Sequence, residues 1–148
     1  MDRVDWRILT ELQADGRLSF NELSRRVRLS APAVADRVRR LEDAGVITGY
    51  HAHVDLERTG RPVRAVVVMD CYGPTCLLRD PDVATWPEVR ELYRVTGQGC
   101  SVLVVAAASM DAFQELIDRL ARYGRPSSSM VLADLLPWSP VTQPTVEP

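Results

Sequence analysis

The sequence has no lysine: all 18 basic residues among its 148 are arginines. We attribute this mainly to base composition, although arginine is also well suited to phosphate contact. No apolar run approaches the roughly 18 residues of a membrane-spanning helix, since the longest, residues 102–108, is only strand-sized. Residues 1–6 are polar and lack the apolar core of a signal peptide. We therefore expect a cytoplasmic protein without a membrane partner.

Cysteine is scarce as well. Cys71, Cys76 and Cys100 are an odd number without a CxxC pair. We expect reduced, partly buried thiols, with Cys71 and Cys76 as packing residues and metal binding or redox chemistry as the alternative. His51 and His53 share one strand face, but no cysteine or acidic cluster of suitable spacing accompanies them, so solvent-exposed histidines are expected. We predict no metal site and no cofactor.

The basic residues are concentrated in one stretch. The whole chain has a formal net charge of −2, yet residues 17–40 contain seven arginines against two acidic residues, a net charge of +5. The 46% hydrophobic and 26% charged content is that of a soluble globular protein. A basic segment within a mildly acidic chain indicates a local surface for an anionic partner.

Three helices are predicted in the first third of the chain. Residues 2–15 place apolar side chains at helical spacing. Ser19 and Glu22 have the spacing of a capping box, which would open a short second helix. After a tight turn, Ser30 is suited to cap a third helix, and Gly45 is suited to end it. Two short helices joined by a few residues, the second with arginines outward, are typical of a helix-turn-helix that enters the DNA major groove.

The third helix has two contrasting faces, because Val34, Val38 and Leu41 line one and polar residues the other. Base contacts are expected from the exposed face near its start, at Pro32, Ala33, Asp36 and Arg40. Phosphate contacts are expected from Arg25, Arg26, Arg28, Arg39 and Ser30. Two alternatives stay open. The segment could be a solvated three-helix unit used only for dimerisation, and Asp36 could merely order the helix by pairing with Arg39 or Arg40.

The remaining chain divides by composition. Residues 46–54 are expected to form a wing or a strand leading away, which places the first domain at 1–54 and a linker at 55–62.

Residues 63–136 are predicted to form, in order, a strand, a helix, two strands, a helix and a strand. The expected strands are 63–72, 88–95, 100–108 and 127–136, and the expected helical segments are 76–86 and 109–123. This order predicts an α+β sandwich whose uncovered sheet face drives self-association. The tail, 137–148, holds four prolines and is expected to be extended or disordered.

Several sequence runs resemble one family. They are DWRILTEL at 5–12, DGR at 15–17, ELSRRV at 22–27, LS at 29–30 and RVRRLEDAGVITGY at 37–50. With these runs the chain resembles the Lrp/AsnC family of leucine-responsive and feast/famine regulators over nearly its whole length. The resemblance implies an N-terminal winged helix-turn-helix and a C-terminal ferredoxin-like βαββαβ sandwich that senses a ligand.

The resemblance also implies an effector site. YRVTG at 93–97 is similar to the strand-to-loop motif that helps form the family's amino-acid pocket. Effector contacts are accordingly expected from Thr96, Gly97, Gln98, Gly99 and Cys100. A tight turn between strands would explain both glycines without any ligand. Family members typically carry an acidic residue where this chain has Cys100, so the identity of the effector stays open.

We therefore predict a DNA-binding transcription regulator without enzymatic activity. Its expected partners are a pseudo-palindromic duplex operator, a small-molecule effector for which an amino acid is the first candidate, and further copies of itself in a homodimer or larger oligomer. One alternative is an effector-sensing scaffold that no longer binds DNA. A second is an enzyme like the tetrapyrrole decarboxylases of similar architecture, although no histidine follows His53 to transfer a proton.

Overall fold

A computed structural model describes residues 1–136 and 138–144. The chain divides into two compact units. The first comprises Met1–His53 together with the tail from Leu136, and the second comprises Val54–Leu135. The stretch expected to be a linker belongs to the second unit in this division. Within the described part of the chain, no helix is long and apolar enough to cross a bilayer.

The first unit contains three helices, α1 at Arg3–Ala14, α2 at Phe20–Val27 and α3 at Ala31–Asp43. Their apolar faces meet in one core, as the helical spacing predicts. Its buried members are Ile8, Leu23, Val27, Val34, Val38 and Leu41. The three-helix arrangement predicted from the sequence is confirmed.

The helix starts differ in part from the expected caps. The Ser19 side chain accepts a hydrogen bond from the Glu22 backbone N–H at 3.2 Å, but the Glu22 carboxylate lies against Arg26 and the predicted reciprocal bond is not made. A complete capping box occurs instead at Asp2 and Asp5. There each carboxylate accepts from the other residue's backbone N–H. Only half of the predicted box is therefore present, because an arginine one turn later competes for its acid.

The segment after α3 is not a strand. Residues 46–54 pair with no strand among the described residues, so the structure shows an irregular segment where a wing or a strand was expected. Instead the Tyr50 hydroxyl donates to Glu42 Oε1 of α3 at 3.0 Å. Strand-like alternation is a weak signal where no neighbouring strand is available to complete the ladder.

The second unit is built on a four-stranded antiparallel sheet of order β2-β3-β1-β4. The strands are β1 at Val63–Cys71, β2 at Val89–Arg94, β3 at Ser101–Ala107 and β4 at Gly124–Met130, and α4 spans Met110–Leu120. Val67, Leu103 and Leu116 are fully buried between the sheet and α4. This is the predicted ferredoxin-like order, and the α+β fold class is confirmed.

The first helix of the sandwich is replaced by three short 3₁₀ turns, at Gly73–Thr75, Leu77–Arg79 and Pro81–Thr85. Two of these turns contain a proline near their start, and Pro87 follows the last. A proline removes a backbone donor and restricts the residue before it, so a continuous helix cannot form here. Leu77 and Val83 nevertheless reach the core and cover the sheet where a helix was expected.

Strand β4 begins three residues earlier and ends six residues earlier than the expected 127–136. Gly124 and Pro126, which precede the expected strand, lie inside the observed one. A Cβ at Gly124 would lie 2.2 Å from the Asp70 carbonyl oxygen, so glycine permits close pairing with β1. Proline is tolerated because β4 is an edge strand, where one backbone position needs no partner.

Candidate nucleic-acid interface

Backbone conformation and hydrogen bonds determine the tight turn between α2 and α3. Arg28 ends α2 in the left-handed region, at φ 57° and ψ 50°. The Leu29 backbone N–H then donates to the Ser24 carbonyl oxygen at 3.0 Å. Ser30 follows in extended backbone and its hydroxyl accepts from the Ala33 backbone N–H at 3.4 Å. An αL residue followed by an N-cap reverses the chain within three residues, which is the geometry of a helix-turn-helix.

The two faces of α3 separate as the sequence predicts. Val34 and Val38 are buried, whereas Pro32 and Asp36 are exposed and Ala33 is half-buried. Arg39 and Arg40 are also exposed. The residues predicted to contact bases therefore lie on an accessible helix surface that nothing described in the first unit covers.

The arginines of this surface fall into two groups. Arg25, Arg28 and Arg40 are exposed and make no side-chain hydrogen bond or ion pair with any described residue. Arg39 Nη1 lies 3.2 Å from Asp36 Oδ1, and both side chains are about two-thirds exposed, at 68% and 70%. Such a solvated pair contributes little to stability. The guanidinium groups of these four arginines are accessible to an anionic partner.

Arg26 belongs to the second group. Its guanidinium lies 2.9 Å from Glu11 of α1 and 3.3 Å from Glu22 of its own helix. The hydrogen bond that it donates to Glu11 is the main reason that its pKa is raised. The charge of Arg26, a predicted phosphate contact, is thus compensated within the protein.

Arg37 has a structural role that the sequence alone did not reveal. It contributes to the basic segment, but its Nη1 lies 2.7 Å from Asp2 Oδ2 and 2.6 Å from Asp5 Oδ1. The Asp5 backbone N–H, and then the Arg37 guanidinium, hold the pKa of Asp2 below its usual range. This pair ties the start of α1 to α3. The sequence feature that could have indicated this role is the pair of acidic residues near the N-terminus, Asp2 and Asp5. They come within reach of Arg37 only when α1 packs against α3.

Tyr50 fixes the chain beyond α3. Partial burial and the hydrogen bond that it donates to Glu42 raise the pKa of Tyr50 to about 12. It therefore stays a neutral donor at any ordinary pH. Because Glu42 is in the last turn of α3, this contact holds the following segment beside the helix.

The predicted effector loop joins β2 to β3. Thr96, Gly97 and Gln98 are exposed, and Gly97 has φ 112°, a conformation that requires glycine. A Cβ at Gly99 would lie 2.6 Å from a methyl of Val68, so this glycine allows the loop to pack on β1. The Cys100 backbone N–H donates to the Met69 carbonyl oxygen at 2.8 Å. The five predicted residues form one anchored turn, and the fold explains both glycines.

Comparisons with known proteins agree with this architecture. Residues 1–48 match the family model for a winged helix-turn-helix DNA-binding domain, and residues 81–138 match the Lrp/AsnC ligand binding domain. The HTH-type transcriptional regulator YezC of Bacillus subtilis is 38% identical over 133 residues, which cover 90% of this chain and 94% of YezC. The chain belongs to the Lrp/AsnC family.

Solved structures of the family share its fold. That of B. subtilis LrpC has a TM-score of 0.87 at 30% identity, and the match covers 93% of this chain and 99% of LrpC. The feast or famine regulatory protein of M. tuberculosis, complexed with L-methionine, has a TM-score of 0.82 at 34% identity, covering 91% and 94% of the two chains. This Lrp/AsnC member is accordingly a DNA-binding transcription regulator, and α2 and α3 are its helix-turn-helix.

The cysteines depart from the sequence-based expectation. Cys71 and Cys100, expected to be reduced, are joined as a disulfide with a Cα–Cα distance of 6.2 Å, while Cys76 is a free thiol. Antiparallel pairing of β1 with β3 places Met69 opposite Ser101 and so brings these cysteines together. Strand register is set by tertiary pairing, so a single sequence did not reveal it. The sulfur of Cys100 is therefore held in a disulfide with Cys71.

Proposed function

We propose that the exposed face of α3 reads an operator, with Pro32, Ala33, Asp36 and Arg40 at base edges. Arg25, Arg28 and Arg39 contact phosphates, and Ser30 does so from the start of the helix. The supporting observation is the set of exposed arginines without strong internal partners on the helix-turn-helix. Guanidinium groups that are already free give up no internal ion pair when they bind phosphate.

Arg26 requires a different role. To reach a phosphate it must leave Glu11 and Glu22, which offsets part of the gain from binding DNA. We propose that Arg26 contacts DNA only weakly and mainly braces α2 against α1. Its substitution should therefore change helix stability more than it changes the salt dependence of binding.

The test is a salt-dependent titration of an operator fragment taken from the DNA upstream of the regulator's own gene. Arg25→Ala combined with Arg28→Ala should weaken binding to all fragments and reduce the salt slope by about one for each phosphate that is no longer neutralised. Arg90→Ala, an exposed arginine of β2, is the matched control and should leave both quantities unchanged. Equal slopes for the double variant and the wild type would overturn the proposed interface.

The second unit supports self-association. Alternation along β1 and β3 turns Ala65, Val67 and Leu103 into the core and leaves the other face apolar. That face carries Val66, Val68, Val102, Val104 and Tyr93, half-buried or exposed. We propose that a second copy covers it, because a self-complementary apolar patch gives a closed two-fold dimer. The dimer would present two α3 helices to the half-sites of a pseudo-palindrome.

Introducing a charge tests this surface. Val66→Arg should convert the dimer to a monomer at micromolar concentration in analytical ultracentrifugation, since two-fold symmetry would bring two arginines into the interface. Gln114→Arg, at an exposed position of α4, is the control and should leave the assembly intact. A dimer that survives Val66→Arg would place the interface elsewhere.

We propose that the effector is an amino acid or a close relative, bound around Thr96, Gly97, Gln98, Gly99 and Cys100 at the contact between subunits. Two observations support this. The loop lies within the matched ligand binding domain, and a related regulator was solved with L-methionine. Effector binding would shift the equilibrium between assemblies, provided that its affinity differs between them. The regulator would act in the cytoplasm, where its operator is.

Thermal-shift measurements with a panel of amino acids test this site, because a ligand that binds the native state raises the melting temperature. The shift given by the best ligand should shrink or vanish in Gln98→Ala and remain in the matched control Gln114→Ala. A full response from Gln98→Ala and from Thr96→Ala would exclude the loop.

A further inference from the structure

Three sulfur atoms converge at one end of the sheet. Cys71 ends β1, Cys100 precedes β3, and Cys76 lies between two of the 3₁₀ turns. The Cys76 Sγ is 2.9 Å from the Cys71 Sγ and 3.8 Å from the Cys100 Sγ, and all three sulfurs lie within 4.8 Å of one another. All three residues are half-buried. A disulfide uses only two of these sulfurs, so the position of the third needs its own explanation.

Simple packing does not provide that explanation. A cysteine that serves only as a small hydrophobe is usually fully buried among carbon atoms. Here each sulfur has two other sulfurs as near neighbours, and each cysteine residue is only half-buried. The cluster joins Cys100 to two cysteines that lie 24 and 29 positions earlier in the sequence. This arrangement is typical of a ligand set for a soft metal ion, which thiolates bind preferentially.

We propose that the reduced cluster of Cys71, Cys76 and Cys100 binds one soft metal ion of the Zn²⁺ class through three thiolates. Cellular low-molecular-weight thiols would cleave the Cys71–Cys100 bond: two thiols are oxidised to their disulfide and two cysteine thiols form. Metal binding then releases one proton for each thiol that becomes a thiolate. The inference concerns the second unit alone and is independent of the proposed DNA contacts, and it shares only Cys100 with the proposed effector site.

The geometry needs little adjustment. With metal–sulfur bonds of about 2.3 Å, tetrahedral or trigonal coordination separates sulfurs by about 3.8–4.0 Å. The present spacing of Cys76 from Cys100 already falls close to this, and opening the disulfide lets Cys71 move outward. Cys76 is outside any strand or long helix, so it can shift without breaking a hydrogen-bond ladder. The Ser101 hydroxyl oxygen lies 3.5 Å from the Cys100 sulfur, which leaves a fourth coordination position to that oxygen or to solvent.

The test uses the full-length protein, reduced, freed of reductant and kept under anaerobic conditions. Titration with Co²⁺ should produce thiolate-to-metal charge-transfer absorption that saturates at one ion per chain, with an intensity that corresponds to three sulfurs. Added Zn²⁺ should displace the cobalt and abolish the band. Competition with a chelator then gives the affinity for Zn²⁺.

Cys76→Ser is the decisive variant, because it removes one ligand and leaves the Cys71–Cys100 pair intact. We expect its Zn²⁺ affinity to fall by about 100-fold or more while its circular dichroism is unchanged. Cys71→Ser combined with Cys100→Ser should abolish the cobalt band. If the single variant folds poorly, the number of sulfur ligands given by the wild-type cobalt spectrum still shows whether all three cysteines bind the metal.

Two results would overturn the proposal. One is an absence of charge-transfer absorption in fully reduced wild-type protein. The other is equal Zn²⁺ affinity in the wild type and in Cys76→Ser. If thiol counting then shows only interconversion between three thiols and one disulfide with one remaining thiol, the cluster is a redox centre and not a metal site.

Discussion

In the first unit, charged side chains connect the helices: Arg37 of α3 reaches Asp2 and Asp5 at the start of α1, and Arg26 of α2 reaches Glu11. In the second unit, backbone ladders connect the strands, and a larger apolar core lies beneath them. The packing of the helix-turn-helix therefore depends partly on ion pairs near solvent. The packing of the sheet depends on buried hydrocarbon.

This difference matters because the two kinds of contact respond to different perturbations. Buried apolar side chains are insensitive to pH and ionic strength but sensitive to the removal of a few methylene groups. Exposed ion pairs contribute less, and they weaken as salt screens them or as acid protonates the carboxylates. The DNA-binding unit should accordingly be the part of the molecule that solution conditions affect first.

Leu103→Ala should have the largest effect on stability. Leu103 is fully buried in the central strand β3, and truncating such a leucine costs about 2–5 kcal/mol of unfolding free energy. Urea unfolding followed by the fluorescence of Trp86, in a Trp6→Phe, Trp138→Phe background, reports on the sheet unit. Glu115→Ala, at an exposed site of α4, is the control. If the helical unit, followed by Trp6 in a separate Trp86→Phe, Trp138→Phe background, becomes equally less stable, the two units do not unfold separately and do not differ as described.

The strands and the helix that form the core of the second unit could be predicted from the pattern of apolar residues. The apolar run at residues 102–108 is strand-sized, and the structure places Leu103 and Val105 of that strand in the core. The helix-turn-helix was predicted equally well, because its caps and apolar spacing are local features of the chain. Local periodicity therefore identified most of the elements and, for α3, the face that it buries.

Features that depend on contacts distant in sequence were missed. The cysteine cluster requires the register of β1 against β3, and the role of Arg37 requires α1 to lie against α3. A helix was expected at 76–86 and three 3₁₀ turns are found, because leucine and valine spacing cannot distinguish a short helix from successive turns. For the interface, the sequence identified the basic segment but not which arginines are internally paired.

Arg37→Met should have a smaller effect, confined to the helical unit and dependent on pH. Because the folded state lowers the pKa of Asp2, the pair stabilises the fold above the ordinary carboxyl pKa of 3.8 and ceases to do so as the pH falls through the lowered value. The variant should therefore melt at a lower temperature than the wild type at pH 7, and the two should converge in acid. Melting followed by Trp6 fluorescence across this range is the measurement.

Arg3→Met is the matched control for that series, since Arg3 is exposed on α1 and has no ion-pair partner among the described residues. It should follow the wild type at every pH. A melting difference for Arg37→Met that persists unchanged in strong acid would mean that Arg37 acts through its hydrocarbon chain, and the contrast between the two units would weaken.

The smallest effect is expected where the C-terminal tail meets α1. The tail was expected to be extended or disordered, and its described part lies along the first unit. The Gln13 side chain exchanges two hydrogen bonds with the backbone of Val141, at 3.0 and 2.7 Å, and the Trp138 ring meets His53 edge-on at a centroid distance of 6.0 Å. Residues 137 and 145–148 lie outside the described residues.

Gln13→Ala removes both hydrogen bonds, and because they are exposed to solvent the cost should be about 1 kcal/mol or less. Hydrogen exchange is the sharper measurement: the Val141 amide should become unprotected, while the amides of α1 keep their protection. Gln143→Ala, in the same tail but without a hydrogen-bond partner among the described residues, should change neither. If α1 also becomes less protected in Gln13→Ala, the tail is an integral part of the DNA-binding unit. The stability of that unit then depends on residues from both ends of the chain.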